Sequence, residues 1–221
     1  VVLGIHIAAP GLAIAPDSAL DKLARERLST VYMPGWKLTM LPDDVVQAYT
    51  LQEGRDCPAV SLYVTMDEAT LEVKSSETKL ERVPIAANLR HDKLDAVVTE
   101  AALTGAAPAD FPFAAELSFG FRLARHLKAQ REVVRGKPEN FNRPDYNFKL
   151  VDAAGQSPVE PPSGHETVQI SERRRGAPLD TIVAEAMILA NNTWGGWLAE
   201  LGVPGIYRSQ ASMAPGVKVR M

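Results

Sequence analysis

Cysteine is almost absent from this sequence: Cys57 is the only one in 221 residues. One cysteine cannot form a disulfide within the chain, and disulfides are rare in reducing compartments. We therefore expect a cytoplasmic protein. The four histidines are scattered along the chain, so no combination of cysteine and histidine has the standard spacing of a zinc site.

Long hydrophobic segments are also missing. A membrane-spanning helix needs about 20 consecutive apolar residues, and no run in the sequence approaches that length. We therefore predict a chain that does not span a membrane and has no membrane partner. The apolar residues 1–9 have neither a start methionine nor a basic flank. We interpret them as a strand cut from a longer chain, not as a signal peptide.

A surplus of positive charge, typical of nucleic-acid-binding domains, is absent as well. The formal net charge is −3 and the isoelectric point is about 5.9. One segment departs from this average, because residues 122–137 carry six lysines and arginines against the single acid Glu132. This basic segment is either a solvated helix face or a track for RNA phosphates.

Hydrophobic periodicity predicts interspersed strands and helices without a regular βαβ rhythm. Strands are predicted at residues 2–8, 36–40, 59–65, 69–83, 146–151, 166–171 and 205–208. Helices are predicted after Asp17 or Ser18, after Pro42, and at residues 91–103, 113–134 and 179–201. This order favours an α+β fold with a largely antiparallel sheet flanked by helices.

Several short motifs follow one another in order: GIHIA at residues 4–8, VYMPGWKLTMLP at 31–42, FNRPDY at 141–146, EAMILAN at 185–191 and GIYR at 205–208. Each alone is weak, but the ordered set resembles the catalytic domain of the RNase II/RNase R exoribonucleases, the RNB family. The motifs extend over almost the whole chain. The resemblance implies that residues 1–221 form a single incomplete RNB-type domain, without the flanking OB-type domains of the family.

The resemblance also implies a chemistry. Family enzymes hydrolyse single-stranded RNA from its 3′ end to nucleoside 5′-monophosphates, with Mg²⁺ held by a cluster of aspartates. Carboxylate oxygens suit Mg²⁺, which activates water and stabilises charge on the phosphate. By resemblance that cluster would lie upstream of Val1, and a supporting arginine would lie beyond Met221. We therefore expect no catalytic residue, no metal ligand and no nuclease activity in this chain alone.

One position inside the matched region departs from the family. Relatives usually carry Asp after the H-I-A strand, where this sequence has Ala9 followed by Pro10. This difference leaves open the alternative of a catalytically inactive RNB-type RNA-binding protein. A match by chance in an unrelated soluble enzyme is a more remote alternative. No motif determines the oligomeric state, and a monomer is the default expectation.

The resemblance implies six RNA-binding residues: Tyr32, Phe141, Glu185, Asn191, Tyr207 and Arg208. Tyr32 and Phe141 would stack on bases, which suits an enzyme that ignores sequence because every base has a π face. The alternatives are a tyrosine packed beside the Pro34-Gly35 turn and an aromatic residue in the core.

Glu185 belongs to an apolar helix, where a carboxylate is costly unless it is paired or faces a polar cleft. With Asn191, it would contact a sugar or phosphate near the RNA end. A glutamate on the solvent face of the helix is the alternative. Tyr207 and Arg208 would line the same channel, and an arginine on an edge strand is the alternative for Arg208.

Overall fold

A computed structural model describes residues 1–139, 145–157, 162–173 and 176–207 of the protein. In these ranges the strands are β1 (Val2–Ala8), β2 (Val31–Met33), β3 (Trp36–Leu38), β4 (Asp56–Met66), β5 (Val73–Pro84), β6 (Asp145–Val151) and β7 (Thr167–Arg173). The helices are α1 (Ala19–Arg27), α2 (Asp43–Tyr49), α3 (His91–Leu94), α4 (Glu100–Leu103), α5 (Ala114–Arg135) and α6 (Pro178–Glu200), and a 3-10 turn spans Pro10–Ala13. No helix of the described chain is long and apolar enough to cross a membrane.

The central sheet has the strand order β1-β4-β5, and both of its pairings are antiparallel. Ile5 of β1 lies opposite Leu62 of β4, and Leu62 lies opposite Thr78 of β5. Two separate hairpins, β2–β3 and β6–β7, are antiparallel as well. The predicted α+β fold with a largely antiparallel sheet flanked by helices is therefore confirmed.

One face of the sheet forms the main core against α5 and α6. Leu62, Val64 and Met66 alternate along β4, so their side chains share this face. They pack with Leu123 of α5 and Ala190 of α6, and all five are almost completely buried. Full burial of one such leucine stabilises the fold by about 1.5–3 kcal/mol. This core holds α5 and α6 side by side, and their contact forms the two cavities described below.

The β2–β3 hairpin depends on the turn at Pro34 and Gly35. Gly35 has a φ of +68°, a conformation that side chains with a Cβ rarely adopt. A Cβ at this position would also lie 2.7 Å from Cδ1 of Leu150, so the turn approaches β6 closely. The strand predicted at residues 36–40 is shorter than expected, because Thr39 leaves the ladder and its hydroxyl donates to the carbonyl of Leu41 at 2.6 Å.

The start of α1 resolves the choice between two capping residues. Ser18 is the N-cap, and its hydroxyl accepts a hydrogen bond from the backbone N–H of Asp21 at 3.2 Å. The carboxylate of Asp21 in turn accepts from the backbone N–H of Asp17 at 2.8 Å. These reciprocal bonds satisfy N–H groups that lack partners inside the helix.

Residues 91–103, predicted as one helix, form two short helices instead. α3 ends at Leu94, and α4 begins only after Thr99, whose hydroxyl accepts a hydrogen bond from the N–H of Ala102 at 3.2 Å. The segment between them contains Val97 and Val98, and β-branched residues have low helix propensity. Val98 is buried in a second core cluster with Leu103 and Phe121, and this burial offsets the free-energy cost of interrupting the helix.

The strand predicted at residues 205–208 is also wrong for its described part. Residues 205–207 have no strand partner among the described residues, and Arg208 lies outside them. Tyr207 turns back to α6, where its hydroxyl donates to the carbonyl of Gly195 at 2.9 Å. This contact holds the segment against the helix.

Candidate nucleic-acid interface

Glu185 is buried at the contact between α5 and α6. Only 3% of the residue is exposed, so the alternative of a solvent-facing glutamate is wrong. Arg131 of α5 donates from Nη2 to Oε1 of Glu185 at 2.5 Å. A carboxylate removed from water needs such a charged partner, and the pairing explains how an apolar helix tolerates the glutamate.

Arg131 is held from a second side by Glu139. Its Nη2 lies 2.9 Å from Oε2 of Glu139, and the backbone N–H of Glu139 donates to the carboxylate of Glu132 at 2.8 Å. The hydrogen bonds that Arg131 donates to Glu139 and then to Glu185 raise the pKa of Arg131 above its usual value. The same bond from Arg131 lowers the pKa of Glu139. Arg131 is therefore a fixed cation between two carboxylates.

The lowered pKa of Glu139 gives a pH prediction. A depressed folded-state pKa contributes stability above the unfolded pKa, about 4.3, and that stability is lost as the pH falls through the folded pKa. We expect Glu139→Gln to lower the melting temperature at pH 7, and the difference from wild type to shrink towards pH 3. Thermal unfolding followed by circular dichroism measures both. Glu26→Gln, on the exposed side of α1, is the control, and a difference that does not depend on pH would contradict the assignment.

Two cavities meet at the Arg131–Glu185 ion pair, and both are lined by these two residues and Ile188. The Asp180 cavity, of about 360 Å³, is further lined by Lys128, Glu139, Asp145, Gly176, Asp180, Thr181 and Ala184. The Gln130 cavity, of about 330 Å³, is further lined by Leu127, Gln130, Val134, Leu189 and Asn192. Ligand sites of proteins are typically apolar clefts with a few polar groups that determine orientation. The Gln130 cavity has this character.

Asn191, predicted to act with Glu185, is exposed on α6. Its neighbour Asn192 lines the Gln130 cavity together with Glu185 and Ile188. Residues three, four and seven apart share one face of a helix, whereas residues six apart do not. Asn192 was missed because the motif ends at Asn191, although the helical spacing of seven from Glu185 would have indicated it.

The predicted aromatic contacts lie elsewhere. Tyr32 is 80% exposed on the β2–β3 hairpin, opposite Lys37, so the alternative of a tyrosine packed beside the turn is wrong. Among the described residues that line the Asp180 and Gln130 cavities, Tyr32 does not occur. Tyr207 is 60% exposed and rests on α6 near Gly195. Phe141 and Arg208 lie outside the described residues.

The basic segment of α5 is held mainly by protein contacts. Arg122 donates to the carbonyl of Glu68 at 2.7 Å and lies over the ring of Phe119. Arg125 pairs with Glu100 at 3.0 Å, and Arg131 pairs as described above. Contacts within the chain therefore engage at least three of the six basic side chains of this segment.

The resemblance implies Mg²⁺, and the described residues do not fit it. In the part of the chain that the structure describes, no group of three or more His, Cys, Asp or Glu side chains could hold a metal ion. The carboxylates of Glu139 and Glu185 are paired with Arg131. Ala9, where relatives usually carry Asp, is buried and has no side-chain oxygen. No step of hydrolysis can therefore be assigned to these side chains.

Comparison with known proteins identifies the fold and the family. The fold is similar to part of Mycoplasma genitalium RNase R, solved in complex with double-stranded RNA: the TM-score is 0.69 at 17% identity, over 91% of this chain and 33% of that chain. The family model of the RNB domain matches residues 1–217. The chain therefore belongs to the RNB domain family, and the hypothesis of a chance match is wrong.

Two further relatives bear on activity. Exoribonuclease 2 of Vibrio parahaemolyticus is 27% identical over 216 residues, which cover 96% of this chain and 30% of that protein. Yeast Ssd1, a pseudonuclease, is 25% identical with a TM-score of 0.50, over 63% of this chain and 16% of that chain. The chain thus spans about 30% of the length of the curated relatives it matches.

Proposed function

We propose that this chain forms part of the RNA-binding wall of a 3′→5′ exoribonuclease that hydrolyses single-stranded RNA to nucleoside 5′-monophosphates with Mg²⁺. The observation that carries the proposal is the buried Arg131–Glu185 pair where two cavities meet, inside a chain of the RNB domain family. The relatives named exoribonucleases support this class of reaction. Cytoplasmic location and a monomeric state remain predictions.

In this proposal Glu185 recognises ribose. A carboxylate repels phosphate, whereas it accepts hydrogen bonds from sugar hydroxyls, and the 2′-hydroxyl distinguishes RNA from DNA. Arg131 engages Oε1 of Glu185, and in this proposal a sugar hydroxyl donates a hydrogen bond to the other carboxylate oxygen, Oε2. Asn192, at the edge of the Gln130 cavity, supplies an amide that donates and accepts hydrogen bonds. The apolar wall formed by Leu127, Ile188 and Leu189 would contact the faces of the sugar and base.

Tyr32 supplies the second contact. Its ring is 80% exposed on a two-stranded hairpin with a tight turn, so a nucleobase can stack on it without displacing a neighbour. Stacking on an aromatic ring tolerates any base, as degradation of unrelated RNA sequences requires. Mg²⁺ and the groups that bind it belong, in this proposal, to parts of the protein outside this chain.

A second function remains, because Ala9 replaces the acid that the family usually carries. The fold similarity to Ssd1, a protein described as a pseudonuclease, favours the same alternative. In that case the parent protein binds RNA and does not cut it.

A test of hydrolysis from the 3′ end distinguishes the exoribonuclease from the inactive RNA-binding protein. The complete protein that contains this chain is incubated with Mg²⁺ and either 5′-labelled linear single-stranded RNA with a free 3′ end or internally labelled circular RNA. We expect the linear RNA to shorten progressively with release of nucleoside 5′-monophosphates, and the circular RNA to stay intact. Binding of the linear RNA without shortening would contradict the exoribonuclease and support the RNA-binding protein.

A further inference from the structure

A third cavity, at the C-terminal end of α6, contains two tryptophans. It has a volume of about 540 Å³ and its lining includes Trp194, Trp197, Ser76, Thr78, Asn192 and Glu200. Trp194 and Trp197 are three residues apart, so their rings project from the same side of the helix. Ser76 and Thr78 alternate along β5 and face them from the sheet. We call this space the tryptophan cavity.

The two rings differ in exposure. Trp194 is partly buried against the main core, and its Nε1 donates to Oγ1 of Thr78 at 3.0 Å, which fixes the ring against β5. Trp197 is 50% exposed. Between them Gly196 has no atom within 4 Å of the position a Cβ would take, so the cavity is open above the helix backbone. A planar ligand can therefore reach the face of Trp197.

The tryptophan cavity adjoins the Gln130 cavity, which is lined by Glu185. Asn192 lines both the tryptophan cavity and the Gln130 cavity, and Arg131 and Glu185 line the Gln130 cavity. Trp197 follows Glu185 by twelve residues, which corresponds to about 18 Å along an α-helix. A ligand that occupies both ends must therefore be extended over this distance, as a single strand of RNA is.

The residues that line the tryptophan cavity indicate which chemical groups it can bind. Indole rings stack on nucleobases of any sequence, and the hydroxyl and amide groups of Ser76, Thr78 and Asn192 can bond to base edges and sugars. Among the described residues that line this cavity none is basic, and Glu200 is acidic. The cavity is therefore suited to the uncharged base and sugar of a nucleotide, with its phosphate directed to solvent.

We propose that Trp197 is a base-stacking subsite for single-stranded RNA, upstream of the nucleotide that contacts Glu185. This inference rests on the proposed function, because Glu185 supplies the first contact. A stacked strand advances about 3.4 Å per nucleotide, so about five nucleotides span the distance from Glu185 to Trp197. An RNA of three nucleotides is too short to reach both sites.

The test is the length dependence of binding. Fluorescein-labelled oligo(A) of three and ten nucleotides is titrated with the protein in EDTA, and fluorescence anisotropy gives the dissociation constants. We expect Trp197→Ala to weaken binding of the ten-nucleotide RNA by about 5- to 150-fold, the range for loss of one stacked base. Affinity for the three-nucleotide RNA should not change. Trp197→Phe should restore most of the affinity, and Leu201→Ala, a change of another exposed apolar residue beyond α6, should have no effect.

Three results would overturn the inference, and they differ in what else they affect. If wild type binds the ten-nucleotide RNA, Tyr32→Ala weakens it and Trp197→Ala does not, only the tryptophan subsite is wrong. If wild type binds neither RNA, the proposed function fails together with the subsite. If Trp197→Ala converts a wild-type dimer into a monomer in sedimentation velocity while RNA affinity stays constant, the surface is an interface between two copies of the chain.

Discussion

Replacing Arg131 by alanine is expected to lower the free energy of unfolding by about 3–5 kcal/mol, the usual cost of breaking a buried ion pair. The reason is that Glu185 is more deeply buried than Arg131. The side chain of Glu185 is 4% exposed and that of Arg131 is 27% exposed. Removal of Arg131 therefore takes from a buried negative charge the cationic partner that the structure shows, whereas removal of Glu185 leaves an arginine that reaches water and Glu139. Chemical denaturation at pH 7 should show Arg131→Ala to be less stable than Glu185→Ala.

The matched control is Arg135→Ala, because Arg135 lies 3.5 Å from Glu139 and its side chain is 45% exposed. Exposed pairs contribute about 0–1 kcal/mol, so this variant should unfold close to wild type. Equal stability of the Arg131 and Arg135 variants would show that the pair does not hold α5 against α6.

Replacing Tyr32 by alanine is expected to weaken the binding of single-stranded RNA by about 5- to 150-fold, the effect of removing one stacking ring. The ring makes its contribution through its face, so Tyr32→Phe should bind nearly as well as wild type. Titration of labelled oligonucleotides in EDTA, followed by anisotropy, measures the affinities without hydrolysis. The exposed position of Tyr32 means that the loss should occur without a change in thermal stability.

Val133→Ala is the matched control for Tyr32→Ala. Val133 is 81% exposed, like Tyr32 at 80%, and it lies on α5 away from the hairpin. Its truncation removes a similar exposed apolar side chain without removing an aromatic ring. If both variants bind RNA as wild type does, Tyr32 is not a stacking residue and the proposed RNA interface loses its second contact.

Elements with strong periodicity could be predicted from the sequence. β1 has the predicted bounds, and α5 and α6 begin and end within one residue of prediction. The interruption at Thr99 was missed because the capping hydroxyl competes with an apolar pattern that looks continuous. Residues 205–208 were predicted as a strand, in line with the family motif, whereas in the described residues 205–207 the contact of Tyr207 with Gly195 determines the path of the chain.

The candidate site could be predicted only in part. Glu185 was identified through its motif, and its cost in an apolar helix predicted a partner without naming one. The partner, Arg131, lies 54 residues away, and only the packing of α5 on α6 brings the two together. Trp197 belongs to none of the motifs that resemble the family. Only the structure shows that it lines a cavity next to the one that contains Glu185.

The most direct test uses the 221-residue chain itself with 5′-labelled single-stranded RNA and Mg²⁺. Gel electrophoresis follows the length of the RNA, and a titration measures its binding. We expect the chain to bind the RNA, Tyr32→Ala and Glu185→Ala to weaken this binding, and the RNA to keep its full length. Shortening of the RNA by the purified chain, abolished by EDTA, would contradict the placement of the catalytic groups outside it. Absence of RNA binding would contradict the proposed interface.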